Sequence, residues 1–318
     1  MDKKRLWNIL KLVLKLLVTG TALYWVFKKV EVGDLEEAFS KTSPGFFILA
    51  FACYALSQVV SSSRLNTFFK GIGLNLSEKY NFKLYLLGMF YNQFLPGGVG
   101  GDGYKIYLLK KKFDISSKRI FSALFFDRLS GLWAVAIIIC ALVIFIPSIG
   151  IPQWMPILAA ITGTTIYYLV IGKFFKDNSK MFPLKHFKAL VVQSMQVICV
   201  IFLLFAFNHQ GKFSPYLLIF LVSSFAYIVP ITVGGLGARE ILFLWGSEIF
   251  NLDPHIAVII SLLFFCTSAL MSIWGLYFVF HPRALGEEKI SLKEEILDPV
   301  EDSLDVFETH SKNKPAQS

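Results

Sequence analysis

Two glycine-dense turns set inside apolar sequence constrain this chain more than any other feature. The first runs Phe94-Leu95-Pro96-Gly97-Gly98-Val99-Gly100-Gly101-Asp102-Gly103-Tyr104-Lys105, and the second runs Pro230-Ile231-Thr232-Val233-Gly234-Gly235-Leu236-Gly237-Ala238-Arg239-Glu240. Gly97-Gly98-Val99-Gly100 matches Gly234-Gly235-Leu236-Gly237, and a charge follows each copy: Asp102 in the first, Arg239 and Glu240 in the second. Glycine at this density breaks a helix. Lipid cannot satisfy the freed N–H and C=O groups, so broken backbone at membrane depth must be buried by protein or line a water-filled cavity. Two broken hairpins meeting inside a bilayer are the arrangement of a transport site.

Membrane depth follows from composition. Of 318 residues, 55% are hydrophobic and 32 are Phe, and the mean hydropathy is +0.60, which places the chain among integral membrane proteins. The formal charge of +9 comes from Lys and Arg in short loops between apolar runs. There the positive-inside bias and anionic headgroups explain it, and no nucleic-acid partner is expected. Cys53, Cys140, Cys199 and Cys266 fall in separate apolar runs without CxxC or metal spacing. They read as small buried hydrophobes, and neither a metal nor another cofactor is expected.

About twenty apolar residues cross a bilayer. By that measure the sequence predicts six full spans, at about 6–27, 44–62, 120–146, 155–171, 189–207 and 256–280. The run at 6–27 is long for a signal-peptide core and reads as a retained span. Segments 82–95 and 213–250 are apolar but interrupted by the turns, and read as re-entrant hairpins. Lys105 to Arg119 and Lys173 to Lys188 mark cytoplasmic loops, as do Arg283 and Lys289 after the last span. Both termini then lie in the cytoplasm, the two hairpins open to opposite faces, and the plasma membrane is the expected location.

The turns start at residues 97 and 234, an offset of 137, and the spans that follow them are offset by nearly the same amount. The expected architecture is therefore an all-α polytopic membrane protein built as an inverted repeat. Its halves are about 5–148 and 152–283, followed by a charged tail at 284–318.

Ionisable groups inside apolar segments are costly and need a partner or a role. Asp102 and Lys105 follow the first turn. Backbone N–H groups freed there, with a nearby Lys, can hold phosphate; alternatively Asp102 caps a helix starting near Tyr104 while Lys105 anchors at the inner leaflet. Asp127 and Arg128 lie early in the third span. Neighbours on a helix point about 100° apart, so each should reach another helix rather than its neighbour. Arg128 is a candidate for bidentate grip of a phosphate headgroup, and an interhelical ion pair with Asp102, Arg64 or Arg239 is the structural alternative. A pair between Asp102 and Arg239 is a candidate gate between halves. Arg64 reads as a snorkelling residue at a span end or as a ligand contact. Glu248 and His255 fall near the outer mouth. Gln58, Ser61, Asn92, Gln93 and Thr232 can satisfy opened backbone. No Walker loop, HExxH, GxSxG or paired-carboxylate spacing occurs.

The two glycine turns with Asp102, Arg239 and Glu240, together with Asp127-Arg128 early in the following span, resemble the transmembrane domain of lysylphosphatidylglycerol synthase/flippase proteins. The resemblance covers about 5–283. It implies the glycine turns at Gly97, Gly98, Gly100, Gly101, Gly234, Gly235 and Gly237. In two-domain relatives the membrane part is implicated in moving an aminoacylated lipid between leaflets, and a C-terminal cytosolic domain makes that lipid. About 35 residues follow the last span here, too few for such a domain, so the expected activity is transport without synthesis. The expected partners are membrane lipids with phosphate-bearing headgroups, and a homo-oligomer remains open. Two rivals stand beside the flippase reading: an enzyme of lipid-linked sugar metabolism using Asp102 or Asp127, and a non-transporting membrane scaffold.

Overall fold

The computed structural model describes residues 43–94, 99–226 and 238–286 of the chain. Over those residues the protein is helical without a strand. Its helices are α1 (Pro44–Gly71), α2 (Glu78–Phe94), α3 (Gly100–Phe113), α4 (Ser117–Ile144), α5 (Trp154–Phe174), the short α6 (Lys176–Ser179), α7 (Phe182–Ala206), α8 (Phe213–Ala226), α9 (Ala238–Phe250) and α10 (Pro254–Phe280). Helices α1, α4, α5, α7 and α10 are each long and apolar enough to cross a bilayer. The protein is an all-α polytopic membrane protein. The expected span at 6–27 and the tail beyond 286 lie outside the described residues.

Helix ends follow local chemistry. Helices α1, α7 and α10 open with Pro in the first turn, where its missing N–H costs no helical bond. Asp253 caps α10 by accepting from the backbone N–H of His255 at 2.9 Å and of Ile256 at 3.4 Å.

Two spans are longer than the sequence suggests. The polar run Ser61-Ser62-Ser63-Arg64 looks like the end of the second span, yet α1 continues to Gly71, because Ser61, Ser62, Arg64, Asn66 and Thr67 are all buried against other helices. The span expected from Ala189 begins at Phe182. Lys185 and Lys188, read from sequence as loop cations, lie on α7 facing α1. Lys185 Nζ sits 4.3 Å from the Phe68 ring centre, and Lys188 Nζ donates to Ser63 Oγ and Thr67 Oγ1, each at 2.9 Å.

Helices α1 and α7 form the most extensive interhelical contact, and they run antiparallel. The N–H of Ser43, just before α1, bonds to the carbonyl of Ala206 at the end of α7 (3.0 Å), while the far end of α1 meets Lys185 and Lys188 at the start of α7. Around this pair two units, each of two packed helices, are arranged: α2 with α3, and α8 with α9. Tyr80 at the start of α2 stacks edge-on against Phe113 at the end of α3 (6.2 Å), so both arms return to one level. The arms have 17 and 14 residues in the first unit, and 14 and 13 in the second. All are shorter than a typical span. The span following each unit packs on the first arm of the other, α4 on α8 and α10 on α2.

Apolar residues gather in two clusters. One contains Leu65, Phe68 and Phe69 of α1; the other contains Ala50 and Tyr54. Between them α1 carries its polar stretch from Ser57 to Arg64. The outer faces are apolar: Ile161, Leu169 and Trp274 are among the exposed large side chains.

Close backbone approach fixes the first unit. A Cβ added at Gly101 would collide with the carbonyl oxygen of Gly88, whereas one at the exposed Gly103 would meet nothing within 4 Å. Gly101→Ala should therefore destabilise the protein by about 1–3 kcal/mol through overpacking, while Gly103→Ala should be neutral or slightly stabilising. Thermal unfolding of the two variants in detergent checks this; equal midpoints would contradict the close approach.

Candidate functional site

The polar stretch of α1 faces a cavity of about 430 Å³, within the size range of small-ligand sites. Residues from several helices line it. Gln58, Ser61 and Arg64 come from α1, Asn92 and Gln93 from the end of α2, and Val99, Asp102 and Lys105 from the start of α3. Asp127, Arg128 and Gly131 come from α4, Gln193 and Gln196 from α7, Ser224 from the end of α8, and Arg239 and Glu240 from the start of α9. Residues flanking both glycine-rich segments of the sequence thus meet at one cavity. Four cations (Arg64, Lys105, Arg128 and Arg239) face three carboxylates (Asp102, Asp127 and Glu240), leaving one positive charge in excess among the described lining residues.

Asp127 and Arg128 diverge as helix geometry requires. Asp127 takes a bidentate contact from Arg64 of α1, with Nε at 2.8 Å and Nη2 at 3.3 Å. Arg128 reaches instead to α3, donating from Nε to Asp102 at 2.6 Å. Lys105, one turn on from Asp102, places Nζ 3.3 Å from the same carboxylate and 5.2 Å from the Tyr85 ring centre. Gly88 makes room for the lysine stem, since a Cβ there would collide with Lys105 Cε. Asn92 joins the arms, accepting from the N–H of Gly101 at 2.8 Å while its amide lies 3.4 Å from Asp102. Tyr85 places its hydroxyl 2.9 Å from Gln58 Oε1 and 3.0 Å from Ser61 Oγ.

Across the cavity Arg239 donates to Ser223 Oγ at 3.1 Å. Its guanidinium lies between the Phe220 and Phe264 rings, 4.8 and 4.6 Å from their centres, an arrangement that holds a cation in apolar surroundings. Glu240 accepts from Ser261 Oγ at 3.0 Å.

All seven charged candidates named from sequence therefore line one cavity, although several local expectations change. Arg64 does not snorkel: it is 6% exposed and held by Asp127. Lys105 is buried at the cavity wall rather than anchored at a leaflet surface. Asp102 does not cap a helix starting at Tyr104, because α3 already begins at Gly100 and its side chain turns to Arg128. The ion pairs of Asp102 are with Arg128 and Lys105, so the suggested gate with Arg239 gives way to pairing within the first half. Glu248 and His255 are exposed at the end of α9 and the start of α10. Gly100 and Gly101 open α3; Gly97, Gly98, Gly234, Gly235, Gly237 and Thr232 lie outside the described residues.

Sequence reasoning missed Tyr85, Gly131, Gln193, Gln196 and Ser223. Gln193 and Gln196, three apart in an otherwise apolar span, were the available signal. Arg64 Nη1 and Gln193 Oε1 of the lining are buried without a hydrogen-bond partner among the described residues. The Arg64–Asp127 pair is nearly enclosed, with side chains 7% and 12% exposed. Removing one member of such a pair leaves an uncompensated buried charge. Arg64→Ala should therefore cost roughly 3–5 kcal/mol, and Arg64→Ala with Asp127→Ala should cost less than the single change. Unfolding of the three proteins in detergent checks this; an additive double variant would contradict the pairing.

The chain matches the family described as lysylphosphatidylglycerol synthase TM region over residues 12–275. It is 28% identical over 128 residues to the UPF0104 membrane protein PH1989 of Pyrococcus horikoshii, covering 40% of this chain and 37% of that one. It is 26% identical over 122 residues to the UPF0104 membrane protein MJ1595 of Methanocaldococcus jannaschii, covering 38% and 36% respectively. The matched stretch thus spans little more than a third of each relative. The family match, by contrast, takes in every described helix except the end of α10, and with it all seven charged cavity residues. The chain belongs to the lysylphosphatidylglycerol synthase transmembrane-region family.

Proposed function

We propose that the protein is a flippase-like transporter that moves a phosphate-bearing lipid between leaflets. One observation carries this reading: residues flanking both glycine-rich segments of the sequence line a single charged cavity between two apolar clusters. The headgroup would occupy the cavity while the acyl chains stay in lipid. Arg128, Arg239, Lys105 and Arg64 supply positive charge for phosphate, and Asp102, Asp127 and Glu240 hold those cations or meet an amine.

The two units, α2 with α3 and α8 with α9, are read as re-entrant hairpins in an inverted repeat, about 5–148 and 152–283. Antiparallel α1 and α7 are the equivalent spans. The end bearing Lys70, Lys112, Arg119, Lys176 and Arg283 is assigned to the cytoplasm on the positive-inside bias, and the plasma membrane is the proposed location. We read the protein as a transporter and not an enzyme. No ATP-binding motif is recognisable in the sequence, so movement would follow the lipid gradient or a coupled ion.

The test is a leaflet-resolved assay with purified protein in liposomes, following a fluorescent anionic phospholipid and its chemical identity. The wild-type protein should accelerate transfer between leaflets and leave the lipid unaltered. Arg128→Ala and Asp102→Asn should each slow transfer about ten-fold or more, the loss expected from one charge-assisted contact. Transfer unchanged by both substitutions, or no transfer by a folded wild-type protein, would favour the scaffold; a chemically altered lipid would favour the enzyme.

A further inference from the structure

The last described carbonyls of the chain are held by lysines. Lys83 Nζ of α2 donates to the Ala284 carbonyl at 2.6 Å, and Lys112 Nζ at the end of α3 donates to that of Gly286 at 2.8 Å. The chain therefore leaves the bundle beside Lys110-Lys111-Lys112, all three exposed. Ion pairs tie neighbouring helix ends into the same face: Lys70 of α1 meets Glu78 of α2 at 3.2 Å, and Arg119 of α4 meets Asp177 of α6 at 3.8 Å. Lys118 and Arg283 are also exposed there. Among the described residues the carboxylates of this face are Glu78, Asp114 and Asp177. Glu78 and Asp177 are committed to Lys70, Arg119 and Lys180, so the face keeps a large excess of positive charge around Lys110, Lys111 and Lys118.

The sequence after Gly286 has the opposite sign. Residues 294–308 carry seven carboxylates and no Lys or Arg, and 287–318 as a whole carry nine carboxylates against four lysines. A chain spans at most about 3.6 Å per residue, so Glu287 and Glu288 begin within roughly 7 Å of the Gly286 anchor, and Glu294 within roughly 30 Å.

We propose that the acidic stretch 294–308 docks in cis on this basic face, centred on Lys110, Lys111 and Lys118. The attraction is charge complementarity strengthened by tethering. A lone surface ion pair is weak and screened by salt, but the covalent link gives the stretch an effective concentration on the order of millimolar, and several pairs form together. Face and stretch share one side of the membrane under either assignment of sidedness, because the stretch departs from that face. The docking is independent of whether the protein moves lipid. Anionic headgroups are drawn to the same lysines, so the docked stretch and the bilayer surface compete for them.

The experiment is lysine labelling of the full chain, purified in neutral detergent at low salt, with an amine-reactive ester read residue by residue by mass spectrometry. Only the uncharged amine reacts, and nearby carboxylates hold lysine as the ammonium. Wild type is compared with two variants. One combines Glu294→Gln, Glu295→Gln, Asp298→Asn, Glu301→Gln, Asp302→Asn, Asp305→Asn and Glu308→Gln; the other ends after Ser291. Should one fail to fold, the other carries the comparison. Lys212, exposed between α7 and α8 at the opposite end of the bundle, is the internal reference.

Lys110, Lys111 and Lys118 should label about three-fold more slowly in wild type than in either variant, while Lys212 labels alike in all three. The difference should vanish in about 1 M salt, where the screening length falls to about 3 Å. Equal labelling of wild type and variants at low salt would overturn the docking. Protection that fades as the protein is diluted would place the stretch on a second copy, and protection that appears only in phosphatidylglycerol liposomes would give the face to lipid; each overturns docking in cis.

Discussion

Everything in this structure follows from the need to partner charge and broken backbone in a medium that offers neither water nor ions. Asp102 is where that need is met most densely. Its carboxylate draws in Arg128 from α4 and Lys105 from its own helix, while Asn92 ties it to the opposing arm and accepts the Gly101 N–H opened by the break. One residue thus links the tip of the first unit to a full span. The unit can be this tight because Gly88 and Gly101 carry no side chains where the arms cross. Charge pairing and close backbone packing depend on each other here.

The charges after the second glycine-rich segment are held differently. Arg239 is held by the Ser223 hydroxyl and two aromatic faces, and Glu240 by the Ser261 hydroxyl.

Most of the fold was legible in the sequence, and the reasons for the misses are physical. Of the six spans expected from apolar length, five are long helices and the sixth, at 6–27, lies outside the described residues; apolar length is a strong signal in a membrane chain. Boundaries failed where polar residues faced protein instead of solvent. Ser61 to Arg64 looked like the end of a span and lies in the interior of α1; Lys185 and Lys188 looked like a cytoplasmic loop and anchor α7 to α1. Hydropathy cannot distinguish a lysine that meets water from one that meets a ring, as Lys185 does, or hydroxyls, as Lys188 does. The charged site residues were legible for the complementary reason, since a charge inside an apolar run announces itself. Their pairings were only partly so: helix geometry sent Asp127 and Arg128 to different partners, but nothing in the sequence chose Arg128 over Arg239 for Asp102. Gly131, an ordinary glycine in a long span, carried no signal.

The central claim is that the charged lining is a wet, shared pocket amid hydrocarbon. Its most direct test is thiol labelling in sealed vesicles, with the four native cysteines replaced and single cysteines placed at cavity positions 132 and 196 or outward positions 161 and 274. A small charged methanethiosulfonate should react with Leu132→Cys and Gln196→Cys, and leave Ile161→Cys and Trp274→Cys unmodified. If the cavity positions prove as unreactive as the outward ones, the pocket is dry and the charges around it serve packing alone.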